Sequence, residues 1–187
     1  MDDVNAVSST LPARSQHDRR SFAEIVEAHL EAVYRYLVFL TGDRTVAEDL
    51  TGETFEKAFR WWRRYDPRRA SARTWLCRIA RSAALDHFRA EERRLRREET
   101  YARERGEVEE ASFGDGLAPE LEQALRALSP AEREVVALRV LLELDGPGAA
   151  RVLQISETAC STRLSRALRK LEEAMTNDWD RGRARRP

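Results

Sequence analysis

The sequence predicts an all-α protein: two small helical domains joined by a flexible acidic linker, the C-terminal one containing a helix-turn-helix. Three observations carry this. Apolar residues recur at helical spacing through both halves, several sites carry local helix-start chemistry, and a central acidic stretch has neither. No segment shows the alternation bounded by paired turns that marks strands. The 187 residues suit one ordinary domain or two small ones, and 42% apolar against 35% charged residues leaves a modest core under a heavily ionised surface.

Residues 1–20 read as a mobile N-terminal tail. From Phe22 the apolar positions Ile25, Val26, Leu30, Val33, Tyr34, Leu37 and Val38 put one stripe on a helix, which Gly42 ends. Thr45 and Glu48 form a capping-box pattern for a second helix running to about Trp62. Pro67 disfavours helix at Asp66, so Arg63 to Arg69 read as a basic loop. A third helix follows from about Ser71 to Arg94, with Leu76, Ile79, Ala80, Ala83 and His87 in register. This first domain spans 21–94.

Residues 95–118 are rich in acid and poor in apolar side chains, and read as the linker. The second domain, 119–175, restarts with Leu121, Ala124, Leu125 and Leu128. Ser129, Pro130 and Glu132 then supply N-cap, first-turn proline and capping-box carboxylate for a helix that uses Val135, Val136, Leu138 and Leu142. Asp145 caps a short helix through Leu153, and Ser156 caps a last one with Cys160, Leu164, Leu168, Leu171 and Met175 on its apolar face. Residues 176–187 read as a C-terminal tail.

Charge is segregated although its sum is zero. Residues 21–62 hold 4 basic and 8 acidic groups, 63–97 hold 12 and 4, 98–134 hold 4 and 11, and 156–187 hold 8 and 5. Two basic segments are thus separated by an acidic one, so the position of the charges says more than their sum. No apolar run approaches the roughly 18 residues of a membrane span, and the N-terminus lacks a secretory layout, so the cytoplasm is the default location. Cys77 and Cys160 show neither disulfide nor zinc spacing and suit a core. No phosphate loop, nucleophile elbow or metal-ligand pattern is present, so no catalytic residue, metal or cofactor is expected.

The helix ending at Leu153, the Gln154-Ile155 connection and the helix from Ser156 form a helix-turn-helix pattern. With Cys160, Leu164 and Leu168 inward, Ser161, Thr162, Arg163, Arg166, Arg169 and Lys170 face outward, where hydroxyls and guanidinium groups suit bases and phosphates. An ordinary hairpin with a charged solvated face fits the same spacing. In the first domain, a basic segment carrying Tyr65, Trp75 and Phe88 combines phosphate attraction with rings for base stacking. Phe88 fits the core better; Trp75 fits either role. Asp49, Glu53 and Glu56 form an acidic stripe suited to a basic protein surface or to water.

The order of these features resembles a known family, the extracytoplasmic-function (ECF) sigma factors of bacterial transcription. LTGDRTVAEDLTGETFEKAFRWWRRYDPRRASARTWLCRIARSAALDHFR looks like their −10-binding domain, and LSPAEREVVALRV with ARVLQISETACSTRLSRALRKLEE like their −35-binding domain. The resemblance implies that Asp49, Glu53 and Phe55, with Glu56 on the same stripe, dock on the clamp of the beta-prime subunit of core RNA polymerase, the flap of the beta subunit being the second contact. It implies that the loop containing Arg63, Arg64, Tyr65, Arg68 and Arg69, with Trp75, Arg78, Ser82 and Asp86, opens the −10 region and holds an extruded base. Thr162, Arg163 and Arg166 match the helix that reads the −35 duplex. A protein monomeric when free, partners in promoter DNA and polymerase, and an anti-sigma factor as a further candidate partner complete the implication.

Four positions depart from the family pattern. Gly52 stands where glutamine is usual, Ser82 where asparagine is common, Gln154 where the turn glycine is customary, and Ser161 where a basic residue is frequent. Two rival readings remain from the residues alone: a stand-alone helix-turn-helix regulator that binds duplex DNA as a dimer, and a helical adaptor without a DNA role.

Overall fold

The computed structural model describes residues 13–99 and 118–184, and all regular structure among them is helical. Helices α1 (Ala13–Thr41), α2 (Arg44–Trp61) and α3 (Ala72–Glu99) form the first unit. Helices α4 (Pro119–Ala127), α5 (Pro130–Val136), α6 (Gly146–Leu153) and α7 (Glu157–Ala184) form the second. A 3-10 turn at Trp62–Arg64 follows α2, and a π turn at Ala137–Leu141 continues α5. Among the described residues no helix is long and apolar enough to cross a membrane, and no cluster of His, Cys, Asp or Glu is fit to hold a metal ion.

Local chemistry explains most helix boundaries. Gly42, at φ 68°, ends α1 in the left-handed conformation that glycine adopts without strain. Ser129 and Glu132 form the reciprocal capping box of α5. The Gly148 amide donates to Asp145 Oδ1 at the start of α6, and the Ala159 amide to Ser156 Oγ at the start of α7. The start of α2 differs from the predicted box: Asp43, not Thr45, is the N-cap, its carboxylate accepting from the Val46 amide at 3.0 Å. Aspartate caps as well as threonine does, and this choice starts the helix earlier.

The outer helices run longer than the periodicity predicts. Helix α1 begins inside the segment read as a tail, because no glycine or proline interrupts Ala13 to Phe22 and an established helix propagates cheaply. By the same logic α3 passes Arg94 to Glu99, while α7 runs to Ala184, continuing through Gly182. Residues 1–12, most of the acidic linker (100–117) and the last three residues lie outside the described residues.

Each unit has an apolar centre: Val33, Tyr36, Leu37, Ala47, Ala58, Leu76, Cys77 and Ala80 in the first, and Val135, Leu138, Ala149, Val152, Cys160 and Ala167 in the second. Both cysteines are buried and unpaired. Burial pushes the Cys77 thiol up to about 12, so it stays protonated and packs as a small apolar group. On α7 the buried face is rotated from the predicted one. Cys160, Ala167 and Leu171 are buried and Leu164 partly so, while Leu168 and Met175 are 43% and 46% exposed. Small side chains at Cys160 and Ala167 let α7 lie close to its neighbours, which turns the larger Leu168 to the rim.

The two units pack against each other, α3 on α6 and α1 on α5. The Tyr36 hydroxyl donates to Glu134 Oε1 at 3.0 Å, and Arg81 Nε donates to the same carboxylate at 2.8 Å. Arg73 donates to the Leu142 carbonyl at 2.9 Å, a group at the end of the π turn without a helical acceptor role. Arg151 of α6 donates to the Arg69 carbonyl in the basic loop at 2.8 Å. A Cβ placed on Gly148 would lie 3.0 Å from Thr74 Oγ1, so the backbones of α6 and α3 approach closely there.

Candidate nucleic-acid interface

Helix α3 presents three faces. Leu76, Ile79, Ala80 and Ala83 line the core, while Arg73, Thr74 and Arg81 turn to the second unit. Trp75, Arg78, Ser82 and Asp86, spaced i, i+3, i+7 and i+11, form the third face, with Trp75 half-buried and the others exposed. Asp86 accepts from Arg89 Nη1 at 3.2 Å, an exposed pair that screens its charge.

Ahead of this face lies the basic loop, with Arg63, Arg64, Arg68 and Arg69 exposed. Its shape is set by a turn in which the Arg69 amide donates to the Asp66 carbonyl, and by Tyr65, whose hydroxyl donates to the Ala70 carbonyl at 3.2 Å. The Tyr65 ring stacks on Trp62 at 5.3 Å and lies 4.9 Å from Trp75. Trp62 in turn meets Phe22 edge-on at 5.4 Å. Trp75 is therefore half-buried, packed against the core and in contact with the rings of Trp62 and Tyr65. Trp62 belongs to this cluster without being among the residues the sequence singles out, although its position three residues before Tyr65 in a basic aromatic run is a usable signal. Phe88 is 40% exposed rather than core, and its ring meets His87 edge-on at 5.9 Å.

The acidic stripe on α2 is exposed but partly compensated: Glu53 pairs with Lys57, and Glu56 with Arg60. Asp49 is exposed and makes no ion pair among the described residues. Phe55 does not share this surface. Its ring is 8% exposed and belongs to the core, because position 55 falls on the same side as Thr51 and Ala58. Phe55 can shape the stripe only from beneath. Gly52 lies on the exposed side, and a Cβ added there would meet nothing within 4 Å, so no close approach requires glycine at that position.

On α7, Ser161, Thr162, Arg166 and Arg169 are exposed and Arg163 is half-buried beside Cys160. Arg169 reaches Glu173 at 3.7 Å, a weak exposed pair. Lys170 does something different: its Nζ lies 2.7 Å from Glu132 Oε1, closing the capping box of α5 onto α7. That carboxylate, held by Lys170 and by the backbone and hydroxyl of Ser129, is depressed to about 2. Gln154 takes the left-handed conformation at φ 58°, so the turn keeps the geometry a glycine would give, at some strain. The outcome is two exposed basic surfaces, one with an aromatic bed and one on the second helix of a helix-turn-helix.

Known families match both units. Residues 25–94 match Sigma-70 region 2 and residues 119–171 match Sigma-70 region 4. SigC of Mycobacterium tuberculosis, an ECF RNA polymerase sigma factor, is 30% identical over 168 residues, covering 88% of this chain and 89% of that protein. The chain belongs to the ECF sigma factors. BldN of Streptomyces coelicolor is 33% identical over 162 residues, covering 84% of this chain and 61% of that protein. SigM of Bacillus subtilis is 28% identical over 151 residues, covering 80% and 91%. Among solved structures, CnrH in complex with the cytosolic domain of CnrY aligns with a TM-score of 0.63 at 25% identity, covering 88% of this chain and 95% of that one. RpoE of Bartonella quintana, solved with the anti-sigma factor NepR, shares the fold with a TM-score of 0.70 at 22% identity, covering 84% and 98%.

The α1–α3 unit is region 2, the −10 module, and the α4–α7 unit is region 4, the −35 module. Sigma factors are regulatory DNA-binding proteins of transcription initiation rather than enzymes, and promoter-specific initiation is the function that the family fixes.

Proposed function

We propose that this sigma factor reads its promoter with the exposed stripe of α3 and the outward face of α7, in the cytoplasm, as a monomer when free and without chemistry of its own. Trp75 offers an indole face for a base from the melted −10 strand, while Arg78 and the loop arginines Arg63, Arg64, Arg68 and Arg69 attract its phosphates. Ser82 and Asp86 supply the polar edge of that site. Thr162 and Arg166, with Arg163 and Arg169 beside them, enter the −35 major groove, and Ser161 lies at the groove-facing start of the helix. Lys170 serves region 4 as a structural cation. Asp49, with Glu53 and Glu56, faces a basic surface on the polymerase clamp, and region 4 meets the flap.

The observation that carries this reading is the Trp75–Arg78–Ser82 stripe: Arg78 and Ser82 are exposed and Trp75 is half-buried, next to the basic loop and against the rings of Trp62 and Tyr65. The Bartonella RpoE is described in complex with the anti-sigma factor NepR and CnrH in complex with the cytosolic domain of CnrY, and we extend an anti-sigma partner to this chain. Arg166→Ala is expected to weaken binding to a −35 duplex by about tenfold, as loss of one bidentate base contact would, and to leave polymerase association intact. Asp49→Arg should do the reverse. Equal loss of both activities in either variant would contradict the assignment.

A further inference from the structure

We propose that the C-terminal part of α3 is a second DNA site of region 2: a row of arginines that holds the phosphates of the duplex beside the melted −10 segment, on the spacer side. The proposal rests on the sigma-factor reading of Trp75 and its neighbours and extends it along the same helix. Trp75, Arg78, Ser82 and Asp86 follow one another at steps of three, four and four, and from Asp86 the same steps lead to Arg89, Arg93 and Arg97. Steps of this kind keep residues on one face, and α3 is unbroken from Ala72 to Glu99. The stripe that begins at Trp75 therefore runs on past Asp86, and Arg89, Arg93 and Arg97 are all exposed on it.

The two halves of the stripe differ in chemistry. The first offers an indole, a hydroxyl and a carboxylate beside one arginine, a mixture that can distinguish bases. The second offers guanidinium groups alone, which suit phosphate oxygens of any sequence. An arginine row on an exposed helix ordinarily serves solubility, neutralised by acids one turn away. Here the nearby acids are engaged elsewhere, Glu91 with Arg94 and Glu92 with Arg96. Arg93 and Arg97 make no ion pair among the described residues. Arg97 Nε donates to the Arg93 carbonyl at 3.1 Å, which holds its guanidinium against the same turn. Arg89 meets Asp86 at 3.2 Å, a weak exposed pair that a phosphate can replace.

Length and direction identify the duplex. From Asp86 to Arg97 the helix advances about 16 Å, the rise of about 5 base pairs. Capture of a single strand belongs to the other end, where Trp75 adjoins Trp62, Tyr65 and the basic loop. No ring stands in the arginine row, since Phe88 and Leu95 fall on the opposite side of the helix. The arginine end is also the one from which the chain continues to region 4, and the DNA between the −10 and −35 modules is the spacer.

The test uses holoenzyme assembled from the full chain and core polymerase, on two forked DNAs built from a promoter of its own, mapped by transcription in vitro. Both forks carry the single-stranded −10 segment; one has about 12 base pairs of duplex upstream of it and the other about 2, too few to reach the row. Affinity is measured between about 50 and about 200 mM salt. Arg93→Ala with Arg97→Ala should lower the salt slope on the long fork by about 1.8, the contribution of two phosphates, so that the wild type loses about tenfold more affinity than the variant across this range. On the short fork the two proteins should match. Both positions are exposed and alanine is the better helix former, so the fold is kept. Arg93→Lys with Arg97→Lys should return the long-fork slope to the wild-type value, as a phosphate contact requires only the charge. An unchanged slope on the long fork overturns the proposal, and so does an equal change on both forks. Weaker association of the alanine variant with polymerase in the absence of DNA would overturn it too, by turning the row towards a protein. If no protein-dependent start site can be mapped, the sigma-factor reading itself fails before either fork is built, a result distinct from forks that bind and ignore the row.

Discussion

Tyr36 and Glu134, separated by 98 positions in the chain, share a 3.0 Å hydrogen bond in which the phenol donates and the carboxylate accepts. Tyr36 is fully buried in region 2 and Glu134 is 9% exposed in region 4. Burial, reinforced by the neighbouring carboxylate, raises the phenol well above its ordinary range, so it remains a donor at any physiological pH. Arg81 completes the site by pairing with Glu134 at 2.8 Å.

Loss of Arg81 should therefore be felt more than loss of the Tyr36 hydroxyl. Arg81→Ala leaves a mostly buried carboxylate without its counter-charge, and a cost of about 3 kcal/mol to the docked arrangement is expected. Tyr36→Phe keeps the ring and removes one bond to a charged acceptor, for about 1.5 kcal/mol. Chemical denaturation of the two variants, followed by tryptophan fluorescence, checks the order.

Gly52→Ala should stabilise region 2. The position is exposed within α2, and nothing lies within 4 Å of an added Cβ, so the helix recovers the propensity that glycine forfeits, about 1 kcal/mol. A thermal midpoint that rises by a few degrees, without change in −10 strand binding, is the expected outcome; a fall would mean that the glycine has a packing role.

Region 4 should weaken in acid through Glu132. Its carboxylate is depressed to about 2 by Lys170 first and Ser129 second. A folded-state value below the unfolded one means that the contribution is fully present above the ordinary carboxylate range and is lost as pH falls from there through about 2. Thermal midpoints measured across that window should drop for the wild type, and Glu132→Gln should flatten the curve. Lys170→Ala should flatten it in part, without the loss of −35 specificity that Arg166→Ala causes.

Much of this architecture is legible in the sequence, because it is written in short-range chemistry. Ser129, Pro130 and Glu132 announce α5, and Asp145 and Ser156 bracket the helix-turn-helix, since a cap involves only residues three apart. The basic loop is likewise readable from Pro67 and the arginines around it, whereas the Trp75–Arg78–Ser82 set follows from the family resemblance and not from spacing. Where packing chooses between near-equivalent faces, periodicity is less informative. It favours large apolar residues and so turns Leu168 inward, whereas close helix contact selects Cys160 and Ala167. Phe55 goes to the core and Phe88 to solvent for the same kind of reason: a helix face does not reveal where its neighbouring helices stop. The Lys170–Glu132 pair is not legible in the sequence, because its two members lie 38 positions apart. The Tyr36–Arg81–Glu134 cluster joins three helices, and no local pattern encodes such a meeting.

Binding to DNA should depend steeply on salt, since each arginine that meets a phosphate releases counterions. For a −35 duplex held by region 4, Arg166→Ala is expected to cost affinity mainly at the bases it reads, while substitution of an arginine that meets only phosphate lowers the salt slope by about 1 for all sequences. Titrations at several salt concentrations separate the two roles.

The central claim is met most directly by transcription in vitro with purified core RNA polymerase, with and without the protein, on a pooled library of upstream fragments from the same genome. The account predicts discrete start sites that depend on the protein and share one −35 and one −10 sequence. Polymerase-independent, palindromic footprints on duplex DNA with no new transcripts would contradict it.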